Sequence, residues 1–151
     1  MSTSQFRSFA LQGLLPPGHV LMANTRAYFF DHFILSELSD EPYGLIAQQI
    51  FTEQEFYALV ALMEAYPHYC PYEALLSALS DKTIDQARQV VHEAMEDKNL
   101  ERTLNPLRNL LARCRPRLHD FGIDIGSRRG LGYQLYRVEG LTRSYEGQDT
   151  I

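Results

Sequence analysis

The side chains best suited to recognising another molecule are arginines, and nine of them lie between Arg102 and Arg143. That segment holds three acidic residues, whereas the chain up to Glu101 holds five Lys or Arg against fourteen Asp or Glu. The net charge of −5 therefore hides one strongly cationic segment. Every cation in it is an arginine, whose planar guanidinium suits phosphate groups and the edge of guanine. The pattern indicates either contact with nucleic acid or an ordinary basic surface.

A basic helix is predicted inside this segment. Asn105-Pro106 is typical of a helix start, because asparagine caps the first turn and proline needs no hydrogen-bond donor there. Pro116 is expected to disturb the end of the helix, since an interior proline removes a backbone hydrogen bond. Apolar residues at helical spacing predict a buried stripe: Leu107, Leu111, Cys114 and Leu118. The residues that point elsewhere are Arg108, Asn109, Ala112, Arg113 and Arg115.

A β-hairpin is predicted directly after the helix. Residues 123–125 and 133–136 have the composition of strands, and the glycine-rich run 126–130 between them is typical of a turn. Gly130 and Gly132 permit a tight connection, and Arg128 and Arg129 would project from it. The predicted hairpin therefore has a cationic tip.

The elements upstream are predicted from periodicity. Residues 1–24 contain Gly13, Pro16, Pro17 and Gly18 without a sustained period, so we expect a loosely attached arm or linker. Short aromatic and β-branched stretches between Tyr28 and Phe51 predict a small antiparallel sheet. Thr52 and Glu55 form a capping box that opens a helix over residues 53–65, and a second helix begins at residues 71–73. A third amphipathic helix, over about 83–98, carries an acidic outer face with Glu93, Glu96 and Asp97.

The order of these elements, together with four local motifs, resembles the OmpR/PhoB-type winged helix-turn-helix DNA-binding domain. The motifs lie at residues 51–56, 114–118, 121–125 and 127–135, and read FTEQEF, CRPRL, FGIDI and SRRGLGYQL. Cys114 stands where the family usually has leucine, Pro116 falls in the last turn of the recognition helix, and the helix over about 83–98 is an insertion.

The resemblance implies an α+β fold with a small N-terminal antiparallel sheet and a C-terminal β-hairpin wing. The expected divisions are an arm over 1–24, a winged-helix domain over 25–138 and a tail over 139–151. The sequence shows no receiver domain beside this region, so we expect a stand-alone regulator without control by phosphorylation within this polypeptide.

The same resemblance assigns roles to the basic residues. Arg108 and Asn109, expected in the first turns of the recognition helix, would read guanine and adenine in the major groove beside Ala112. Arg113, Arg115 and Arg117 would contact phosphates, unless they form a solvated face or pair with the acidic third helix. At the wing, Arg128 would project and Arg129 would enter the minor groove. The alternative is that these arginines only keep an exposed turn soluble and contact no DNA.

Catalytic and metal sites are not predicted. His92-Glu93 lacks a second histidine at zinc-protease spacing, and His68 with Cys70 lacks a partner pair. The glycines near the C-terminus precede no helix that could bind a phosphate, and no nucleophile lies beside a base. We therefore expect neither enzymatic activity nor a cofactor, and the two cysteines are expected to be reduced thiols.

The sequence thus predicts a sequence-specific double-stranded DNA-binding transcriptional regulator. A second hypothesis, from a different class, is a protein-interaction module on the same fold that acts without binding DNA. RNA polymerase or another regulator could dock on the acidic helix over 84–97, and a homodimer is plausible. No run of eighteen apolar residues or secretory signal occurs, so we expect no membrane contact and a bacterial cytoplasmic location, at the nucleoid when DNA is bound.

Overall fold

The computed structural model describes residues 5–36, 38 and 42–138, with the backbone alone at 42 and 43. The protein is α+β, and the chain divides into two compact units. The sheet unit comprises residues 1–52, 115–124 and 136–151, and the helical unit comprises residues 53–114 and 125–135. The predicted tail over 139–151 lies outside the described residues.

The elements follow one another from sheet to helices to hairpin. The strands are β1 (Phe6–Phe9), β2 (His19–Asn24), β3 (Phe29–Leu35), β4 (Pro42–Ile50), β5 (Cys70–Pro71), β6 (Ile123–Arg128) and β7 (Gly132–Arg137). The helices are α1 (Glu53–Ala65), α2 (Tyr72–Ala78), α3 (Ile84–Glu96) and α4 (Leu100–His119).

The sheet unit is built on a four-stranded antiparallel sheet in the order β1-β2-β3-β4. The turn between β2 and β3 is fixed by Asn24, whose side-chain oxygen accepts hydrogen bonds from the amides of Arg26 and Ala27, each at 2.9 Å. Such a side-chain bond replaces a backbone turn and favours chain reversal. Leu21 and Phe30, on the two strands that this turn joins, are fully buried.

The expected arm over residues 1–24 is wrong where the structure describes it. β1 and β2 lie in that range and pair with each other and with β3. The strand signal was weak because β2 reads His-Val-Leu-Met-Ala-Asn, with buried residues in adjacent pairs instead of strict alternation. A boundary at residues 24 and 25 would cut the β2–β3 hairpin. The antiparallel pairing predicted between Tyr28 and Phe51 is confirmed by β3 and β4.

The helical unit contains α1, α2, α3 and most of α4. α1 has the predicted bounds, and α2 begins at the residue after Pro71, as predicted. The third predicted helix is α3, whose start is capped by Thr83 and Gln86 in a reciprocal capping box. The buried stripe predicted for the basic helix is confirmed in this unit by Leu107, Leu111 and Cys114, and Phe56, Leu59 and Leu75 are buried with them.

The predicted start and end of the basic helix are wrong. α4 begins at Leu100, with the amide of Thr103 bonded to the carbonyl of Asn99, so Pro106 lies in its second turn. The helix also continues through Pro116 to His119. Each proline lacks the N–H that would bond to the carbonyl four residues earlier, which is Arg102 for Pro106 and Ala112 for Pro116. All four of these residues are exposed. Water can hydrate these carbonyls, which explains why the helix tolerates both prolines.

The predicted hairpin is confirmed as β6 and β7, and β5 adds a third strand in the order β5-β7-β6. The strands are longer than predicted, so Arg128 ends β6 and the turn shrinks to residues 129–131. The amide of Leu131 bonds to the carbonyl of Arg128 at 2.9 Å, and Gly130 supplies the positive φ of +76°. Gly132 has a different role from the one predicted: a Cβ there would overlap the carbonyl of Cys70 on β5.

Candidate nucleic-acid interface

The exposed side of α4 in the helical unit carries the predicted base-reading residues. Arg108, Asn109, Ala112 and Arg113 are all exposed, while Leu107, Leu110 and Leu111 are buried on the opposite side. At 100° per residue, Arg108 and Ala112 share one line along the helix, and Asn109 and Arg113 share the next. Because α4 begins at Leu100, these residues occupy its middle turns and not its first turns, which corrects their predicted position.

The guanidinium of Arg108 is available for an external ligand. It forms neither an ion pair nor a hydrogen bond with any residue in the described ranges, and its charge acts on the nearby hydroxyl of Tyr72. Burial raises the pKa of Tyr72, while a hydrogen bond with the backbone of Gly130 and the charge of Arg108 lower it. Tyr72 therefore lies close to both α4 and the hairpin turn.

Tyr72, the first residue of α2, anchors that turn. Its amide donates to the carbonyl of Leu131 at 3.1 Å, and its hydroxyl is hydrogen-bonded to the backbone of Gly130. Its ring meets the ring of Tyr133 edge to face, with the centroids 5.8 Å apart. These contacts hold the turn on Tyr72, whose hydroxyl is also influenced by the charge of Arg108. From the sequence, Tyr72 is expected only at a helix start, and no local pattern marks it as an anchor.

The two arginines of the hairpin have different surroundings. Arg128 donates to the side-chain oxygen of Gln134 at 3.0 Å, and Gln134 donates in turn to the carbonyl of Pro67 at 2.8 Å. Arg129 is exposed and has no hydrogen bond or ion pair within the described part of the chain. Arg129 and Arg108 are therefore two cations of the helical unit without a carboxylate partner there.

Arg113 faces a buried acid. Its Nε lies 3.6 Å from Oε2 of Glu55, and only 3% of the Glu55 side chain is exposed. A buried carboxylate needs a nearby cation, since its charge has lost most of its hydration. Arg113 thus has a structural task within the helical unit, although 62% of its own side chain remains exposed.

Arg115 lies in the sheet unit and is held by Asp124. Its Nε and Nη2 donate to the two carboxylate oxygens at 2.7 and 2.9 Å, a bidentate arrangement that raises the pKa of Arg115. Asp124 is 6% exposed and also accepts from the hydroxyl of Tyr136 at 3.0 Å. Nε2 of His119 lies 3.2 Å from the same carboxylate. A sequence signal did exist, because an aspartate between Ile123 and Ile125 in a buried strand requires a partner.

Arg117 is likewise engaged within the sheet unit. Its Nη1 donates to the carbonyl of Ile50 at 2.7 Å, and its guanidinium lies over the ring of Phe51, 4.4 Å from the centroid. Arg115 and Arg117 were both predicted to contact phosphates, and the structure gives each of them partners inside the protein.

The acidic residues of α3 pair locally. Asp85 contacts Arg88 at 2.9 Å, and Glu96 contacts His92 at 3.0 Å. Arg88 also lies 3.6 Å from Glu73 of α2. Within the described ranges no carboxylate of α3 is paired with an arginine of α4, so α3 leaves the charge of Arg108 unneutralised.

The described part of the chain has no group of three His, Cys, Asp or Glu side chains placed to hold a metal ion. Burial raises the pKa of the Cys70 thiol to about 11, so that thiol is poorly nucleophilic at neutral pH. None of the helices in the described ranges has the length and apolar character needed to span a bilayer. Comparison with protein-family models, curated proteins and solved structures gave no match for this chain.

Proposed function

We propose that this protein is a winged-helix, sequence-specific double-stranded DNA-binding regulator of transcription, acting without catalysis. The observation that carries the proposal is the anchoring of the hairpin turn on Tyr72, whose hydroxyl is also influenced by the charge of Arg108. Arg108 and the turn residue Arg129 have no carboxylate partner among the described residues, so both cations are available to a ligand. The succession α1, β5, α2, α4 and a hairpin joined to β5 supports the OmpR/PhoB-type assignment, with α3 as the insertion.

In this proposal α4 lies in the major groove. Arg108 is suited to donate two hydrogen bonds to guanine, and Asn109 to pair with adenine. Ala112 is small and exposed, so it allows close approach and can contact a thymine methyl group. The use of middle helix turns for reading follows from the early start of α4 at Leu100.

The hairpin turn then meets the adjacent minor groove. Arg129 enters the groove, where narrow A·T tracts attract a guanidinium. Arg128 meets a phosphate at the groove wall, and Gln134 holds its side chain in place. Arg113 contributes through its exposed part while pairing with Glu55.

Arg115 and Arg117 are given a supporting role in this proposal. Their guanidinium groups already bond to Asp124 and to the carbonyl of Ile50. Releasing either group for a phosphate would break a charge-assisted or backbone hydrogen bond. The proposed DNA-contacting set is therefore Arg108, Asn109, Ala112, Arg113, Arg128 and Arg129.

The test is equilibrium binding to a mixed pool of labelled duplexes over a series of salt concentrations. Arg108→Ala and Arg129→Ala are each expected to weaken binding about tenfold. Arg128→Ala, which loses the proposed phosphate contact, should reduce the salt slope by about 0.9. Tyr72→Phe should weaken binding less, by about threefold, because it only loosens the turn. The control is Arg26→Ala, which removes an exposed arginine of the sheet unit and should bind like the unaltered protein.

A second candidate function rests on α3, whose outer face exposes Asp85, Glu93, Glu96 and Asp97. Such a face suits a basic surface on RNA polymerase or another regulator, and it would also serve a protein that has no DNA affinity. No binding to duplex DNA at low salt, together with capture of purified polymerase that is abolished in Glu93→Lys, would establish this second function over the first. A homodimer on DNA and a cytoplasmic location remain part of the first proposal.

A further inference from the structure

A cleft of about 650 Å³ opens in the sheet unit beside the connection between β1 and β2. Its wall is mainly apolar and includes Leu15, Pro16 and Leu35, while two basic residues, His19 and Arg137, also line it. Small-molecule sites in proteins have this size and this combination of apolar wall and a few polar groups. The described lining contains no carboxylate.

The proton on His19 can be located from its neighbour. Nδ1 of His19 lies 2.9 Å from Nε2 of His32. His32 as a residue is 6% exposed. Burial, and then the charge of His19, lowers the pKa of His32 to about 4, so this ring is neutral at physiological pH. Nδ1 of His32 is buried and has no hydrogen-bond partner among the described residues.

An unpartnered buried N–H is less tolerable than an unpartnered acceptor, so the single proton of His32 belongs on Nε2. His32 then donates to Nδ1 of His19. Nδ1 of His19 is an acceptor in that bond, and its own proton resides on Nε2. His19 thus presents an N–H donor on the side of the ring away from His32.

Arg137 supplies the second donor group. Its side chain is exposed and forms no hydrogen bond or ion pair with any residue that the structure describes. A guanidinium in this state can bind a carboxylate through two parallel hydrogen bonds. Two donors without a lining acid make the polar side of the cleft selective for an anion.

We propose that this cleft binds a small organic carboxylate, with the carboxylate held by Arg137 and Nε2–H of His19 and the apolar body resting on Leu15, Pro16 and Leu35. The site lies wholly in the sheet unit, whereas the proposed DNA contacts lie in the helical unit. The two proposals therefore stand or fall separately.

The test uses the full-length ¹⁵N-labelled protein with 2-naphthoate as the probe and 2-naphthamide as its uncharged isostere. Naphthoate is expected to shift the amide signals of Gly13 and Gly18 at the cleft in a saturable way, and naphthamide to bind about tenfold more weakly. Arg137→Gln should weaken naphthoate binding about tenfold. Arg26→Gln, the matched loss of an exposed arginine in the same unit, should leave it unchanged.

A second measurement protects the test if Arg137→Gln fails to fold. Long-range ¹H–¹⁵N spectra of the unaltered protein should show His32 and His19 both protonated at Nε2, with the His19 nitrogen shifting on addition of naphthoate. The proposal is overturned if naphthoate gives no saturable shift, if the amide binds equally well, if Arg26→Gln is as damaging as Arg137→Gln, or if the His19 nitrogen is unaffected.

Discussion

At the scale of single residues, the partner of an arginine decides what that arginine can do. Arg108 and Arg115 look alike in sequence, since both lie on the polar side of α4. Arg115 is fixed by the buried carboxylate of Asp124, whereas Arg108 has no carboxylate partner within the described ranges. The difference separates a structural arginine from one that is available to a ligand.

Asp124→Asn should lower the free energy of unfolding by about 2 kcal/mol. The substitution removes the anion that Arg115 and Tyr136 share, but Arg115 is half exposed, so water replaces part of the missing interaction. Urea denaturation measures the change. Asp81→Asn alters an exposed aspartate and should stay within about 0.5 kcal/mol of the unaltered protein. Equal changes in the free energy of unfolding for Asp124→Asn and Asp81→Asn would contradict the structural role assigned to Asp124.

The buried histidine pair predicts a pH dependence of stability. Because the folded protein lowers the pKa of His32 from 6.5 to about 4, the unfolded chain takes up a proton first as the pH falls. The contribution of neutral His32 is thus fully present above pH 6.5 and is lost between 6.5 and about 4. His32→Gln should flatten the loss of stability over this window, measured by urea denaturation at a series of pH values. His68→Gln, at an exposed histidine, should keep the pH dependence of the unfolding free energy of the unaltered protein. The same pH dependence in both variants would contradict the role assigned to His32.

At the scale of elements, the three-stranded sheet depends on one glycine. Gly132→Ala should lower the free energy of unfolding by about 2 kcal/mol or more, because the new Cβ would overlap the carbonyl of Cys70 and push β5 away from β7. Gly44→Ala on β4 is the control, since a Cβ there meets open space. Thermal unfolding of both variants measures the difference, and a Gly132→Ala variant as stable as the control would show that β5 can move without cost.

Local signals predicted some elements well and others poorly. α1 matched its prediction because the Thr52 and Glu55 pattern and the apolar period agree on the same start. α4 did not, because Asn105-Pro106 looked like a start while the apolar stripe continues upstream through Leu104 to Leu100. Burial of the apolar stripe therefore decided where α4 begins, and the helix start suggested by Asn105-Pro106 did not.

The candidate site was predictable in part. The exposed side of α4 and the cationic turn follow from periodicity and composition, so Arg108 and Arg129 could be named from the sequence. The hydrogen bond from Arg117 to the carbonyl of Ile50 could not be predicted, because the two residues are 67 positions apart in the sequence. The anchoring role of Tyr72 also depends on residues of the hairpin that no local pattern connects to it.

At the scale of the whole molecule, charge is unevenly distributed along a chain of net charge −5. A net negative protein is repelled by DNA at long range, so the DNA binding that we propose would have to come from the local cations of the helical unit. Such binding should be salt-sensitive and should depend on few residues. In the proposed regulator, the exposed acidic residues of α3 suit a different partner, with a basic surface.

The most direct measurement of sequence-specific DNA binding is repeated selection from a randomised duplex library, carried out with the unaltered protein and with Arg108→Ala and Arg129→Ala. We predict enrichment of one short motif with a guanine that loses its preference in Arg108→Ala, and a flanking A·T preference that weakens in Arg129→Ala. Recovery of unenriched sequence from the unaltered protein, or the same motif with unchanged preferences from all three proteins, would contradict the proposed function.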